Sequence, residues 1–237
     1  MSAEFKQRIQ LILGIAILAA GVRTAYIFYE RHEEQSQKAT IRIRPALDPD
    51  YYVTPKRLYP YDLKTAQVLT KQPVWVKVGY AVAYFPYDAV SHHADFARPA
   101  GLFLPIEKLQ VRKVVTDTAP GVDDRQVMAV FDKNGGTYAF PIGRVTGDTY
   151  YFIMNDLLFI QDPHDLYDHW PPNVWQTIDA HQVKPGMNEL QAAMALGMGI
   201  PQDAGGFGSR TLKYPNGGHP LTVRFAEGKA VEISGAT

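Results

Sequence analysis

The feature that most constrains this chain lies near its N-terminal end. From Ile9 to Val22 almost every residue is apolar; Arg23-Thr24 interrupts, and Ala25-Tyr26-Ile27-Phe28-Tyr29 resumes the run. The 21 residues from Ile9 to Tyr29 would form roughly 30 Å of helix, the thickness of a bilayer's hydrocarbon core. Tyr26 and Tyr29 suit an interfacial aromatic belt, and Arg23 can snorkel toward it. The sequence therefore predicts a single transmembrane helix over residues 9–29, with the lipid bilayer as a partner. A cleaved signal peptide is the rival reading: Lys6 and Arg8 make a basic start, residues 11–20 an apolar stretch, and Ala19-Ala20-Gly21 a small-residue cleavage site. Lys6 and Arg8 precede the segment while Arg31, Lys38, Arg42 and Arg44 follow it. That count leans slightly against an external domain, although long domains translocate regardless of flanking charge.

Beyond a polar stalk, about 200 residues remain, enough for one large domain or two small ones. Lys and Arg number 24 and Asp and Glu 24, so no net charge draws the chain to nucleic acid, and none is expected as a partner. Cysteine is absent, which excludes disulfides, thiolate metal sites and a Cys nucleophile. The 14 Tyr and 17 Pro suit a β-rich fold with many turns.

The expected class is α+β, mostly β. Residues 1–38 are the anchor and stalk, residues 39–160 a β-rich region of two small barrel-like modules, and residues 161–237 a helical segment followed by a C-terminal helix pair with a β-hairpin. Thr40-Ile41-Arg42-Ile43-Arg44 alternates as a first strand. The clearest hairpin joins residues 126–132 to 137–142 through Asn134-Gly135-Gly136, which tolerate the positive φ of a tight turn. Past Pro163 the period becomes helical: residues 164–170, then 173–181 with Asn173 as N-cap, then a helix from about Asn188 with Met187, Leu190 and Met194 on one face. A last hairpin pairs residues 221–225 with 230–233 around Glu227-Gly228.

Gly186, Asn188 and Gln191, Leu196-Gly197, Pro201, Tyr214, Phe225 and Gly228 follow a pattern of capped helix, Leu-Gly stop, Pro, Tyr and terminal hairpin. In this the last 60 or so residues resemble the small outer-membrane lipoprotein family that supplies the E subunit of the β-barrel assembly machinery. The resemblance implies two helices on a sheet, a scaffolding role in an envelope and an extracytoplasmic, periplasmic location. The chain departs from the family in lacking a lipidation Cys and in placing over 100 β-rich residues before the motif, so no function carries over residue by residue. Val74-Trp75-Val76-Lys77-Val78-Gly79 resembles the bacterial Src-homology-type barrels of envelope proteins.

The sharpest polar group is Asp162-Pro163-His164-Asp165-Leu166-Tyr167-Asp168-His169. On a continuous helix His164 and Asp168 share a face and could meet one divalent ion, with His181 from the next helix; the bland alternative is an N-cap and exposed histidines. His92-His93-Ala94-Asp95 is a second such cluster, though adjacent His side chains diverge. Gly205-Gly206-Phe207-Gly208-Ser209-Arg210 lacks the ending of a phosphate loop. Tyr80, Tyr84, Phe85, Tyr87, Trp170 and Trp175 serve either a β core or a partner surface, with Tyr84, Phe85, Tyr87 and Trp170 the partner-binding candidates. No catalytic residue and no cofactor is expected. The leading expectation is a non-catalytic accessory or assembly subunit; the alternatives are a metal-dependent enzyme and a cell-wall-binding module.

Overall fold

The structure is a computed structural model that describes residues 20–31, 49–79, 82–216 and 219–235. It divides into two units, residues 1–48 and 49–237. The first contributes helix α1 over residues 20–31, solvent-exposed along its length. Among the described residues no helix is long and apolar enough to cross a membrane. Residues 9–19 of the expected span, the stalk from residue 32 and the expected strand at residues 40–44 lie outside the described residues.

The second unit is mostly β, built from curled antiparallel sheets. Its central piece is the short strand β1 (Val74–Val76), whose alternation splits two cores. Val74 and Val76 enter one cluster while Trp75 enters another. The strands after it are β2 (Ala83–Asp88), β3 (His93–Ala94), β4 (Gly101–Leu102), β5 (Lys108–Leu109), β6 (Val111–Thr118), β7 (Arg125–Lys133), β8 (Gly136–Thr146), β9 (Thr149–Phe152) and β10 (Leu158–Phe159). β1 lies between β10 and β5, with Trp75 opposite Phe159 on one side and Lys108 on the other. The larger, seven-stranded sheet runs β3-β2-β8-β7-β6, with β4 also pairing β2 and β9 pairing β8. The expected division of residues 39–160 into two small modules is not how these strands pair. β2, from the first, hydrogen-bonds to β8, from the second, with Phe85 opposite Ala139.

Residue type explains the sheet's local features. Asn134 and Gly135 both take positive φ (49° and 80°) and make the expected two-residue hairpin between β7 and β8. Pro141 sits in a central strand, where a missing N–H would break the ladder; a register shift opposite Val127 and Met128 accommodates it. Along β7 the side chains alternate: Val127, Ala129 and Phe131 face one core, and Met128 and Val130 the other. At the β6 edge the Gln67 side-chain amide imitates a neighbouring strand, accepting from Val114 N–H (3.0 Å) and donating to Val114 carbonyl (2.6 Å).

Helices follow: α2 (Leu63–Ala66), earlier in the chain and capped by Asp62, then α3 (Met154–Leu157), α4 (Pro163–Leu166), α5 (Pro172–Asp179) and α6 (Glu189–Leu196). The helix expected over residues 164–170 stops at Leu166, because Tyr167, with ψ of 45°, leaves the helical region. Asn173 is not the N-cap of α5. Pro171 caps and Pro172 starts the helix, where its fixed φ and missing N–H are no disadvantage. α6 begins as expected, with a reciprocal capping box between Asn188 and Gln191. It packs between the Trp-rich cluster and the sheet formed by β11 (Ile200–Pro201), β12 (Thr211–Tyr214), β13 (Leu221–Ala226) and β14 (Lys229–Gly235). The last hairpin turns through Glu227 and Gly228, both at positive φ. Asp50 ties the start of this unit to its helices, accepting from His169 Nε2 (2.6 Å), Trp170 Nε1 (2.7 Å) and Asn188 Nδ2 (3.0 Å).

Phe131 is fully buried against Tyr84, Phe103, Tyr138 and Phe140. Phe131→Ala is expected to cost about 3–5 kcal/mol of stability by opening a cavity there, read as a lower denaturant midpoint with an unchanged slope.

Candidate functional surfaces

Two surface features stand out. The first is a strap over residues 52–61, which opens at the end of a 3-10 turn (Pro49–Tyr52) and alternates along most of its length. Val53, Pro55, Leu58 and Pro60 turn inward, while Tyr52, Lys56, Arg57, Tyr59 and Tyr61 are exposed. The three tyrosines are 68%, 79% and 75% exposed, respectively. Among the described residues no strand pairs with the strap. Side-chain amides hold its backbone instead: Asn155 Oδ1 accepts from Leu58 N–H (2.9 Å), Asn155 Nδ2 donates to Leu58 carbonyl (2.6 Å), and Gln161 Oε1 accepts from Lys56 N–H (3.3 Å). Asn155 faces outward because Met154 and Leu157 anchor the short helix α3 in the core. Beside the strap is a concavity of about 540 Å³ lined by Val53, Thr54, Pro55, Arg57 and Tyr59.

The second feature is an apolar cleft of about 430 Å³ between the end of β1, the segment from β4 to β5 and the end of α6. Phe103 turns into the core and stacks near Tyr84, Phe131 and Phe140, so its neighbours Leu102 and Leu104 point outward. Gly197 ends α6 with φ of +93° and delivers Met198 to the same cleft. Leu102, Leu104 and Met198 are 59%, 48% and 60% exposed. Lys77 also lines the cleft. Its ammonium donates to Asn155 carbonyl (2.5 Å) and lies 5.1 Å from the Phe159 ring centre. Burial pushes the Lys77 pKa down, and the nearby Arg57 charge pushes it further the same way.

The residues singled out in the sequence are placed differently. Trp170 and Tyr87 are only 5% and 8% exposed. Trp170 stacks on Tyr167 and donates to Asp50, and Tyr87 packs with Met128 and Ala139, so neither offers a face to a partner. Tyr84 packs against the first core with its ring edge-on to Phe131 and Tyr138. Phe85 packs on the opposite face against Phe96. Tyr80 lies outside the described residues.

His164, Asp168 and His181 do not converge. Because α4 stops at Leu166, Asp168 leaves the face that His164 occupies, and His181 instead sits within 3.0 Å of Ala195 carbonyl through Nδ1. Among the described residues no group of three His, Asp or Glu is placed to hold a metal ion. His164 bridges two carboxylates, with Nδ1 at 2.7 Å from Asp162 and Nε2 at 3.2 Å from Asp179, and its ring centre is 4.1 Å from that of Trp175. His93 Nδ1 lies 2.7 Å from the buried Asp117, which also accepts from the Ala94 and Thr118 amides. The Gly-rich loop is likewise structural. Gly208 N–H and the Arg210 guanidinium both donate to the buried Glu189.

The chain matches no protein-family model, no curated protein and no solved structure.

Two outcomes test this geometry. Asn155→Ala removes both bonds that pin Leu58, and amide exchange across residues 56–61 is expected to quicken about tenfold or more, measured by hydrogen–deuterium exchange. For His164, burial pulls the imidazole pKa down, but Asp162 and Asp179 together outweigh it and raise it above its ordinary value. Its stabilising contribution is therefore complete below the unfolded value of about 6.5 and is lost as pH rises through the higher folded value. The wild-type denaturant midpoint should exceed that of His164→Gln by more at about pH 5.5 than at about pH 8.5.

Proposed function

We propose that this chain is a non-catalytic, single-pass membrane-anchored subunit whose second unit docks on a larger membrane or envelope complex, as an accessory or assembly factor. The observation that carries the reading is the cleft, where Leu102, Leu104 and Met198 are all exposed around one apolar concavity. Apolar residues gathered in this way mark binding surfaces more often than do scattered ones. The fitting occupant is an apolar segment of a partner protein, with Lys77 at the cleft wall to accept a polar or acidic flank.

Tethering supplies the rest. A helix over residues 9–29 would hold the unit at the membrane and raise the effective concentration of a modest surface, so little intrinsic affinity is required. In this reading the curled sheet is a small-barrel-like scaffold that presents the cleft, and the extracytoplasmic, periplasmic face is the site of action. The resemblance of residues 186–228 to an envelope lipoprotein family favours that side. No nucleic acid and no cofactor enters the proposal.

The test is mild-detergent purification of the tagged full chain from its native membranes. Wild type is expected to retain a stoichiometric partner, and Leu104→Asp and Met198→Asp to lose it by tenfold or more, the loss typical of a central anchor residue, with unchanged thermal midpoints. A solitary wild-type chain, or cleft variants that keep the partner, would overturn the proposal.

A further inference from the structure

We infer that the strap at residues 52–61 is a binding surface for anionic phospholipid headgroups, with Arg57 and Lys56 as the cationic contacts and Tyr52, Tyr59 and Tyr61 as the interfacial ring. The inference rests on the proposed anchor at residues 9–29, because it assigns the strap to the same membrane.

Four observations carry it. The exposed side of the strap carries large amphipathic phenols and two cations, and rings of this kind favour the boundary between headgroups and acyl chains. Among the described residues neither Lys56 nor Arg57 has an ion-pair partner. Arg57 is also close enough to Lys77 for the two charges to oppose each other, with Asp156 offsetting part of the positive charge at Lys77. An anion relieves that repulsion, and a guanidinium offers a phosphate two parallel N–H bonds.

The third observation is shape. Arg57 and Tyr59 line the concavity beside the strap, which is about 540 Å³, large enough for a headgroup. The fourth is preorganisation. The amides of Asn155 and Gln161 hold only backbone groups of the strap, so Lys56, Arg57 and the three exposed tyrosines are left free for a ligand.

The test uses the full chain in nanodiscs of phosphatidylcholine, alone or mixed with phosphatidylglycerol, with hydrogen–deuterium exchange as the readout. Residues 52–61 are expected to exchange several-fold more slowly in the anionic discs. Each cation should contribute about fivefold to anionic-surface affinity, so K56Q/R57Q is expected to remove the difference. Both side chains are exposed, and an unchanged thermal midpoint verifies the fold. Equal exchange of the wild-type strap in both discs would overturn the inference, as would slowing that survives in K56Q/R57Q. Resistance to alkaline extraction reports the anchor separately. Should the chain fail to insert, the anchor reading falls. The same exchange comparison, with phosphatidylglycerol and phosphatidylcholine vesicles added from outside, then decides the headgroup inference by the same two outcomes.

Discussion

The second unit depends on the pairing of one three-residue strand. β1 is hydrogen-bonded on both sides. Val76 N–H donates to Glu107 carbonyl (3.0 Å), Ile106 N–H donates to Val76 carbonyl (2.8 Å), and Lys77 N–H donates to Leu157 carbonyl (2.8 Å). Its alternation sends Val74 and Val76 into the core under the curled sheet and Trp75 into the helical cluster. A slip of one residue would exchange those faces and place the indole in a space filled by valines. The two cores are thus joined through a strand whose register cannot drift.

Both candidate surfaces follow from that register. Pairing with β10 brings Leu157 beside Lys77, which places α3 and its Asn155 next to the strap. Asn155 then pins Leu58 through its side chain and accepts from Lys77 through its carbonyl, so one residue links the strap to the wall of the cleft. On the other flank, pairing with β5 fixes the segment that turns Phe103 inward and Leu104 outward. Buried charge is handled locally. Glu189 is matched by Arg210 and a backbone amide, and Asp117 by His93 and two amides, as removal of a carboxylate from water requires.

Features governed by neighbouring residues were legible in the sequence. Asn134-Gly135 and Glu227-Gly228 made the expected turns, and Asn188 with Gln191 made the expected cap. Features that depend on distant pairing were not. The alternation of Tyr84 and Phe85 is real, and both are partly buried, Phe85 against Phe96 and Tyr84 against the central aromatic cluster. The spacing of His164 and Asp168 loses its meaning once the helix ends at Leu166. The strap is partly legible in the sequence. Tyr52, Tyr59 and Tyr61 sit among prolines that preclude a regular ladder, yet apolar and exposed positions alternate along most of it. The cleft carried no such signal, since Leu102, Leu104 and Met198 meet only through the tertiary fold.

The central claim is that the unit beyond residue 48 is a docking module. Its most direct test is site-specific photocrosslinking in native membranes, with a photoreactive residue at Leu104 in the cleft and a control at the exposed Val231 on β14. The account predicts one discrete protein adduct at Leu104 and none at Val231. No adduct at Leu104, or the same diffuse adducts at both positions, would contradict it.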